Sequence, residues 1–143
     1  MVTVHLIVGI TVVLANLAAF AVGGWSWIRR TPSVGFWYVL RFAQVSVVVQ
    51  VLLGGILILL GRDAADLHLL YGILPLLVTL LAEGIRAGAA GRELEGLDFE
   101  ALPSDRQRVL AMAIVRRETG IMSVSAGLTL FLVLRAVETT PLI

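Results

Sequence analysis

The chain contains two histidines, and each opens the same pattern, His-Leu-x-x-Gly-Ile, at residues 5–10 and 68–73. Both patterns begin a long apolar run, and we expect both to be helical. On a helix, residues four and eleven positions apart share one face. The two resulting stripes are His5, Gly9 and Asn16, and His68, Gly72 and Thr79. Because a neutral imidazole binds metals and the glycine leaves room for a flat macrocycle, we predict that His5 and His68 ligate one haem iron between them.

A third candidate segment, residues 50–55, reads Gln-Val-Leu-Leu-Gly-Gly. An amide inside an apolar run needs a polar partner within the protein. Adjacent glycines let something pack close to the backbone, which is either another helix or a cofactor. Counting residues along each run places this segment and both histidines in the same outer layer of a membrane. The predicted cofactor site therefore contains His5, His68, Gly9, Gly72, Gly54, Gly55 and Gln50, with the two histidines as metal ligands.

Membrane-spanning helices are needed to position these residues. Of the 143 residues, 59% are hydrophobic, and the mean hydropathy of +0.98 is far above that of ordinary soluble domains. Four apolar runs approach or exceed the about 20 residues that a spanning helix needs. They cover residues 2–24, 36–60, 67–85 and 119–137. We predict an all-α integral membrane four-helix bundle, a single transmembrane domain over residues 1–143.

The expected helices cover about residues 2–28, 36–60, 67–86 and 105/118–138, with a cytoplasmic loop at 87–117. Within that loop, residues 105–117 form a basic amphipathic segment that either bends into the fourth helix or continues straight through it. Ser104 and Gln107 match a capping box at its start. Asp66 is the expected N-cap of the third helix.

All eleven basic residues are arginines, and they are distributed unevenly. Arg29 and Arg30 follow the first run, and six arginines lie between the third and fourth runs. The positive-inside rule therefore places the first and third loops in the cytoplasm and both termini outside. The bias toward Arg, Ala, Gly, Val and Leu is typical of a GC-rich bacterium, so we expect a bacterial inner membrane. A net charge of +1 gives no electrostatic basis for nucleic-acid binding.

Two further charged positions have simple interpretations. Glu83 and Arg86 are three residues apart and are expected to form an ion pair at the membrane interface. Arg41 lies about one turn inside the boundary and is expected to extend its side chain back to the headgroups. The absence of cysteine excludes disulfides, thiolate ligands, iron–sulfur clusters and c-type haem attachment.

Over roughly residues 4–80 the chain resembles the haem A synthase family. In that family a Gln precedes a Leu-Gly-Gly element, and the next helix opens with Leu-His-Leu. The corresponding residues here are Gln50 with Leu53-Gly54-Gly55, then Leu67-His68-Leu69. The resemblance implies that His5 and His68 are the axial ligands of a haem. Family members have eight helices in two halves, each with a histidine pair, whereas this chain has one pair and matches a half-size protein.

The expected function is therefore that of a small b-type haem-binding membrane protein, engaged in electron transfer or haem handling in a respiratory membrane. Two axial histidines leave no open coordination position, which favours electron transfer over oxygen chemistry. We do not expect an independent enzyme; an enzymatic activity would be that of an oxidoreductase. The alternatives are a haem-free scaffold or accessory subunit, and a quinone- or lipid-binding protein. Expected partners are the lipid bilayer and either a second copy or a larger respiratory complex.

Overall fold

Each of the four apolar runs forms one long α-helix in the structure, a computed structural model that describes residues 1–139. The helices are α1 (Val2–Arg29), α2 (Val34–Leu59), α3 (Asp66–Leu94) and α4 (Ser104–Glu138). No strand occurs between residues 1 and 139. All four helices are long and apolar enough to cross a membrane. The predicted all-α four-helix bundle is confirmed, and the chain is a multi-pass membrane protein.

The predicted loop at 87–117 is wrong at its start, because α3 continues to Leu94. α4 begins at Ser104, close to residue 105, the earlier of the two predicted starts of the fourth helix. The connecting segment covers only residues 95–103. Residues 87–94 include three alanines, one arginine, one glutamate and one leucine, all of which favour helix even outside the membrane. The extensions of α3 and α4 are joined by an ion pair between Glu93 and Arg117, at 2.6 Å. The amphipathic segment at 105–117 is thus the straight N-terminal part of α4.

Neither predicted helix cap forms. Ala65 precedes α3 and no side chain caps it, and Asp66 is instead the first residue of the helix. Pro103 precedes α4, also without a side-chain cap. Gln107 turns away from Ser104, and its amide donates to carbonyls of the preceding segment, including that of Leu102 at 3.0 Å. The glutamine therefore fastens the connecting segment to α4.

The helices alternate in direction, and α4 has the most extensive packing. It lies against both α1 and α3, while α2 packs against α1 and touches α3 more sparsely. The core consists mainly of small side chains around one large ring, which allows close helix approach. Its members are Ala15, Ala19, Phe36, Leu40, Ala43, Ala82, Met122 and Ala126. The start of α1 and the end of α4 thus lie at one end of the bundle, and the arginine-rich segments lie at the other.

Candidate functional site

The two histidines face each other near one end of the bundle. His5 lies in the first turns of α1 and His68 in the first turn of α3, and both are half-buried. Their ring centroids are 6.3 Å apart, and the ring planes are inclined by 61°. His5 and His68 are 63 positions apart in the chain. They meet because α1 and α3 run parallel and begin at the same end of the bundle.

His68 is oriented by the last helix. Its Nδ1 lies 2.9 Å from the backbone carbonyl oxygen of Ala136 in α4. A carbonyl only accepts, so Nδ1 carries the proton and donates it. In this tautomer Nε2 carries the lone pair, which is the arrangement that histidine ligands of metals adopt when their second nitrogen donates to a backbone carbonyl. Ala136 has no signature in the sequence, because the contact uses the main chain.

His5 is held by the second helix. Its Nε2 lies 3.2 Å from the amide nitrogen of Gln50 in α2. Among the described residues, His5 Nδ1 and Gln50 Oε1 are buried side-chain atoms with no hydrogen-bond partner. Exchanging the amide oxygen and nitrogen of Gln50 leaves Nδ1 unpaired all the same. Unsatisfied buried polar atoms are rare in native proteins, so this pair indicates a place where a further polar partner or ligand belongs.

The four glycines predicted at the site have two different roles. A Cβ added to Gly54 would lie 3.4 Å from His5 Cε1, and one added to Gly9 would lie 3.1 Å from Gln50 Nε2. These two glycines therefore make room for His5 and Gln50, and the surface of Gly9 is covered by Gln50. A Cβ at Gly55 or Gly72 would meet no atom within 4 Å. The open surface expected beside each histidine is present at Gly72 and absent at Gly9.

The donor set distinguishes between a bare metal ion and a haem. No group of three or more His, Cys, Asp or Glu side chains converges anywhere in residues 1–139. Zinc sites need three or four such ligands, so two imidazoles alone do not suit a bare ion. A haem brings four equatorial nitrogens and needs only axial ligands. His5 and His68, whose ring centroids are 6.3 Å apart, are the residues that would hold a haem iron.

A second polar cluster lies nearer the arginine-rich end, and it centres on Glu83 of α3. The predicted ion pair with Arg86 is confirmed at 2.9 Å. Arg41, half-exposed, has a partner that was not expected. Its guanidinium bonds to Glu83 at 2.5 Å, and the amide of Gln44 donates to the same carboxylate oxygen at 2.7 Å. Arg86 also approaches Glu118 of α4 at 3.5 Å.

The last residues of the two histidine stripes, Asn16 and Thr79, form hydrogen bonds within their own helices. Asn16 is buried, and its amide donates to the carbonyl of Val12 at 2.8 Å. Thr79 is buried as well, and its hydroxyl donates to the carbonyl of Pro75 at 2.8 Å. Both bonds run four residues back along the same helix. Asn16 and Thr79 therefore satisfy themselves and belong neither to the histidine site nor to a bond between helices.

Comparisons with protein-family models, with curated proteins and with solved structures found no match to this chain. The resemblance to the haem A synthase family stays a prediction based on the residues between 4 and 80.

Proposed function

We infer that the chain is a small membrane protein that binds haem b between His5 and His68 and serves electron transfer or haem handling in a respiratory membrane. The observation that carries this proposal is the separation of 6.3 Å between the two imidazole centroids. The bacterial inner membrane, with both termini extracytoplasmic, belongs to the same proposal. The composition supports the bacterial membrane, and the arginine distribution supports the orientation.

The protein's contribution is geometry and polarity. The bond to Ala136 sets the tautomer and the orientation of His68. With its amide turned, Gln50 would accept a hydrogen bond from the Nε2–H of His5, and the unpaired Nδ1 would keep the lone pair that a metal ligand needs. Gly72 leaves the surface below His68 open to a flat group. The haem, when bound, would supply reversible one-electron chemistry.

Absorption spectroscopy tests the proposal. Protein expressed with added haem precursor and purified in mild detergent should show a sharp Soret band that shifts on reduction with dithionite. His5→Ala and His68→Ala should each abolish the band. Leu6→Ala and Leu67→Ala are matched controls, because each replaces an exposed neighbour of a histidine, and they should retain it. A colourless wild-type protein, or a band that survives both histidine substitutions, would reject the proposal.

The contact between His5 and Gln50 favours a second candidate, a haem-free scaffold or accessory subunit. This contact already links α1 to α2 without a cofactor, and Gly9 accommodates it. In that case the imidazole would serve only as an interhelical hydrogen-bond partner. His5→Ala would then lower the thermal midpoint of a colourless protein, and co-purification would reveal a stable membrane partner.

A further inference from the structure

The turn between α1 and α2 has an unusual residue at its centre. Arg30 adopts a left-handed backbone conformation, with φ of 57°, where helix ends ordinarily have glycine. Its N–H donates to the carbonyl of Trp27 at 3.3 Å, and the N–H of Thr31 donates to that of Ser26 at 3.1 Å. The hydroxyl of Ser26 also donates to the carbonyl of Thr31. This network holds the backbone of the turn in place despite the strain of a Cβ in the left-handed conformation at Arg30.

A cavity of about 360 Å³ lies between this turn and α4. Two arginines, Arg30 and Arg116, line it together with Thr31. None of the lining residues is acidic. Within residues 1–139, neither guanidinium forms an ion pair, whereas Arg41, Arg86 and Arg117 all do. Two arginines that line one cavity and form no ion pair with any described residue favour an anionic occupant, and phosphate oxygens suit their planar donors.

An apolar groove lies beside this cavity and shares Trp27 with it. The indole of Trp27 packs directly on Gly120, where an added Cβ would lie 2.8 Å from the ring. On the other side of Trp27 is a groove of about 510 Å³ between α3 and α4. Its walls include Leu81, Ile85, Val124 and Leu128. A cavity lined by two arginines and an apolar groove between α3 and α4 are thus adjacent, with Trp27 lining both.

We propose that this composite site binds one anionic phospholipid, with the phosphate between Arg30 and Arg116 and an acyl chain in the groove beside Trp27. Basic pockets between transmembrane helices recognise the headgroups of anionic lipids by charge. Burial of an acyl chain in the groove would add binding affinity that a free phosphate, which has no acyl chain, would lack. The site lies at the opposite end of the bundle from the histidines, and its occupancy does not depend on haem binding.

Native mass spectrometry from nanodiscs tests this lipid preference. The discs contain equal amounts of phosphatidylglycerol and phosphatidylcholine with the same acyl chains. The wild-type protein should retain phosphatidylglycerol with a several-fold excess over phosphatidylcholine. Arg30→Gly removes the guanidinium and also relieves the left-handed strain, so it should fold normally and lose most of the excess. Arg116→Ala should do the same, whereas the control Arg62→Ala, in the α2–α3 turn, should retain it.

A second measurement identifies the source of the phosphate. Phosphatidylglycerol should raise the thermal midpoint of the detergent-purified protein, and Arg30→Gly should abolish that increase. Inorganic phosphate and glycerol phosphate should leave the midpoint unchanged. Equal stabilisation by inorganic phosphate would show a simple anion site and overturn the lipid proposal. Equal retention of both lipids by the wild type, or full selectivity in the double variant Arg30→Gly, Arg116→Ala, would overturn it as well.

Discussion

The Nδ1 of His68 donates to the backbone carbonyl of Ala136 across 2.9 Å, which joins the first turn of α3 to the last turn of α4. This bond gives the imidazole two separable roles. One nitrogen ties two helices together, and the other is the proposed iron ligand. A substitution that preserves only one role distinguishes them.

His68→Asn should retain the bond to Ala136, because the asparagine amide places an N–H close to the position of Nδ1. His68→Phe should lose it. We expect His68→Phe to lower the free energy of unfolding by about 0.5–1.5 kcal/mol relative to His68→Asn, the usual net value of one hydrogen bond. Both variants should lack the Soret band. Thermal unfolding followed by circular dichroism, together with the absorption spectrum, checks the two outcomes separately; equal stabilities would show that this bond contributes nothing.

Gly72→Ala tests whether the open surface below His68 is used. An added Cβ there meets no atom within 4 Å, so the haem-free protein should be as stable as the wild type or slightly more stable. If a macrocycle packs against Gly72, the same methyl group should reduce haem occupancy several-fold at limiting haem. Gly84→Ala on the same helix is the matched control, since its Cβ would also meet nothing. Haem titration in detergent measures both, and equal occupancy in the two variants would place the macrocycle elsewhere.

Periodicity and hydropathy were enough to predict the four helices and the meeting of the histidines. Long apolar runs can satisfy their backbone groups in a membrane only as helices. Counting residues along the two parallel helices then places His5 and His68 at a similar depth. The pairing of Gln50 with His5 was not predictable, because it depends on the rotation of α2 about its own axis. The contact with Ala136 was not predictable either, because a main-chain carbonyl has no sequence signature.

The same limit explains why the partner of Arg41 was missed. The sequence shows its distance from the membrane boundary, and that distance is compatible with a side chain extended toward the headgroups. The structure places it beside Glu83, a residue 42 positions away, and such a partner becomes visible only when α2 and α3 are docked.

The length of the loop at 87–117 was overestimated for a different reason. Apolar runs mark the membrane segments and not the ends of helices that extend beyond them.

Glu83→Ala should destabilise the bundle more than Arg41→Ala does. Removing the carboxylate leaves Arg41, Arg86 and Gln44 without their shared acceptor, whereas removing Arg41 leaves Glu83 paired with Arg86. The side chain of Arg41 is 50% exposed and that of Glu83 only 25%, so solvent compensates Arg41 more readily. We expect a loss of about 1–3 kcal/mol for Glu83→Ala and under about 1 kcal/mol for Arg41→Ala.

Reversible unfolding in mixed detergent measures both losses of stability. Glu93→Ala is a suitable control, because its ion pair with Arg117 lies in the helix extensions and should contribute little. A smaller loss for Glu83→Ala than for Arg41→Ala would show that the carboxylate is not the centre of this cluster.

Gly23 and Gly24 are neighbours in α1, and their substitution by alanine should have opposite effects. Gly23 is buried, and a Cβ there would overlap the ring of Phe36 and the hydroxyl of Ser123. A Cβ at Gly24 would meet nothing within 4 Å. Because helix propensity changes equally at both positions, the difference between the variants isolates packing at the α1–α2–α4 contact. We expect Gly23→Ala to cost about 1–3 kcal/mol of unfolding free energy and Gly24→Ala to be neutral or to stabilise by about 0.5–1 kcal/mol. Equal midpoints in thermal unfolding would mean that the helices can separate at this contact without loss.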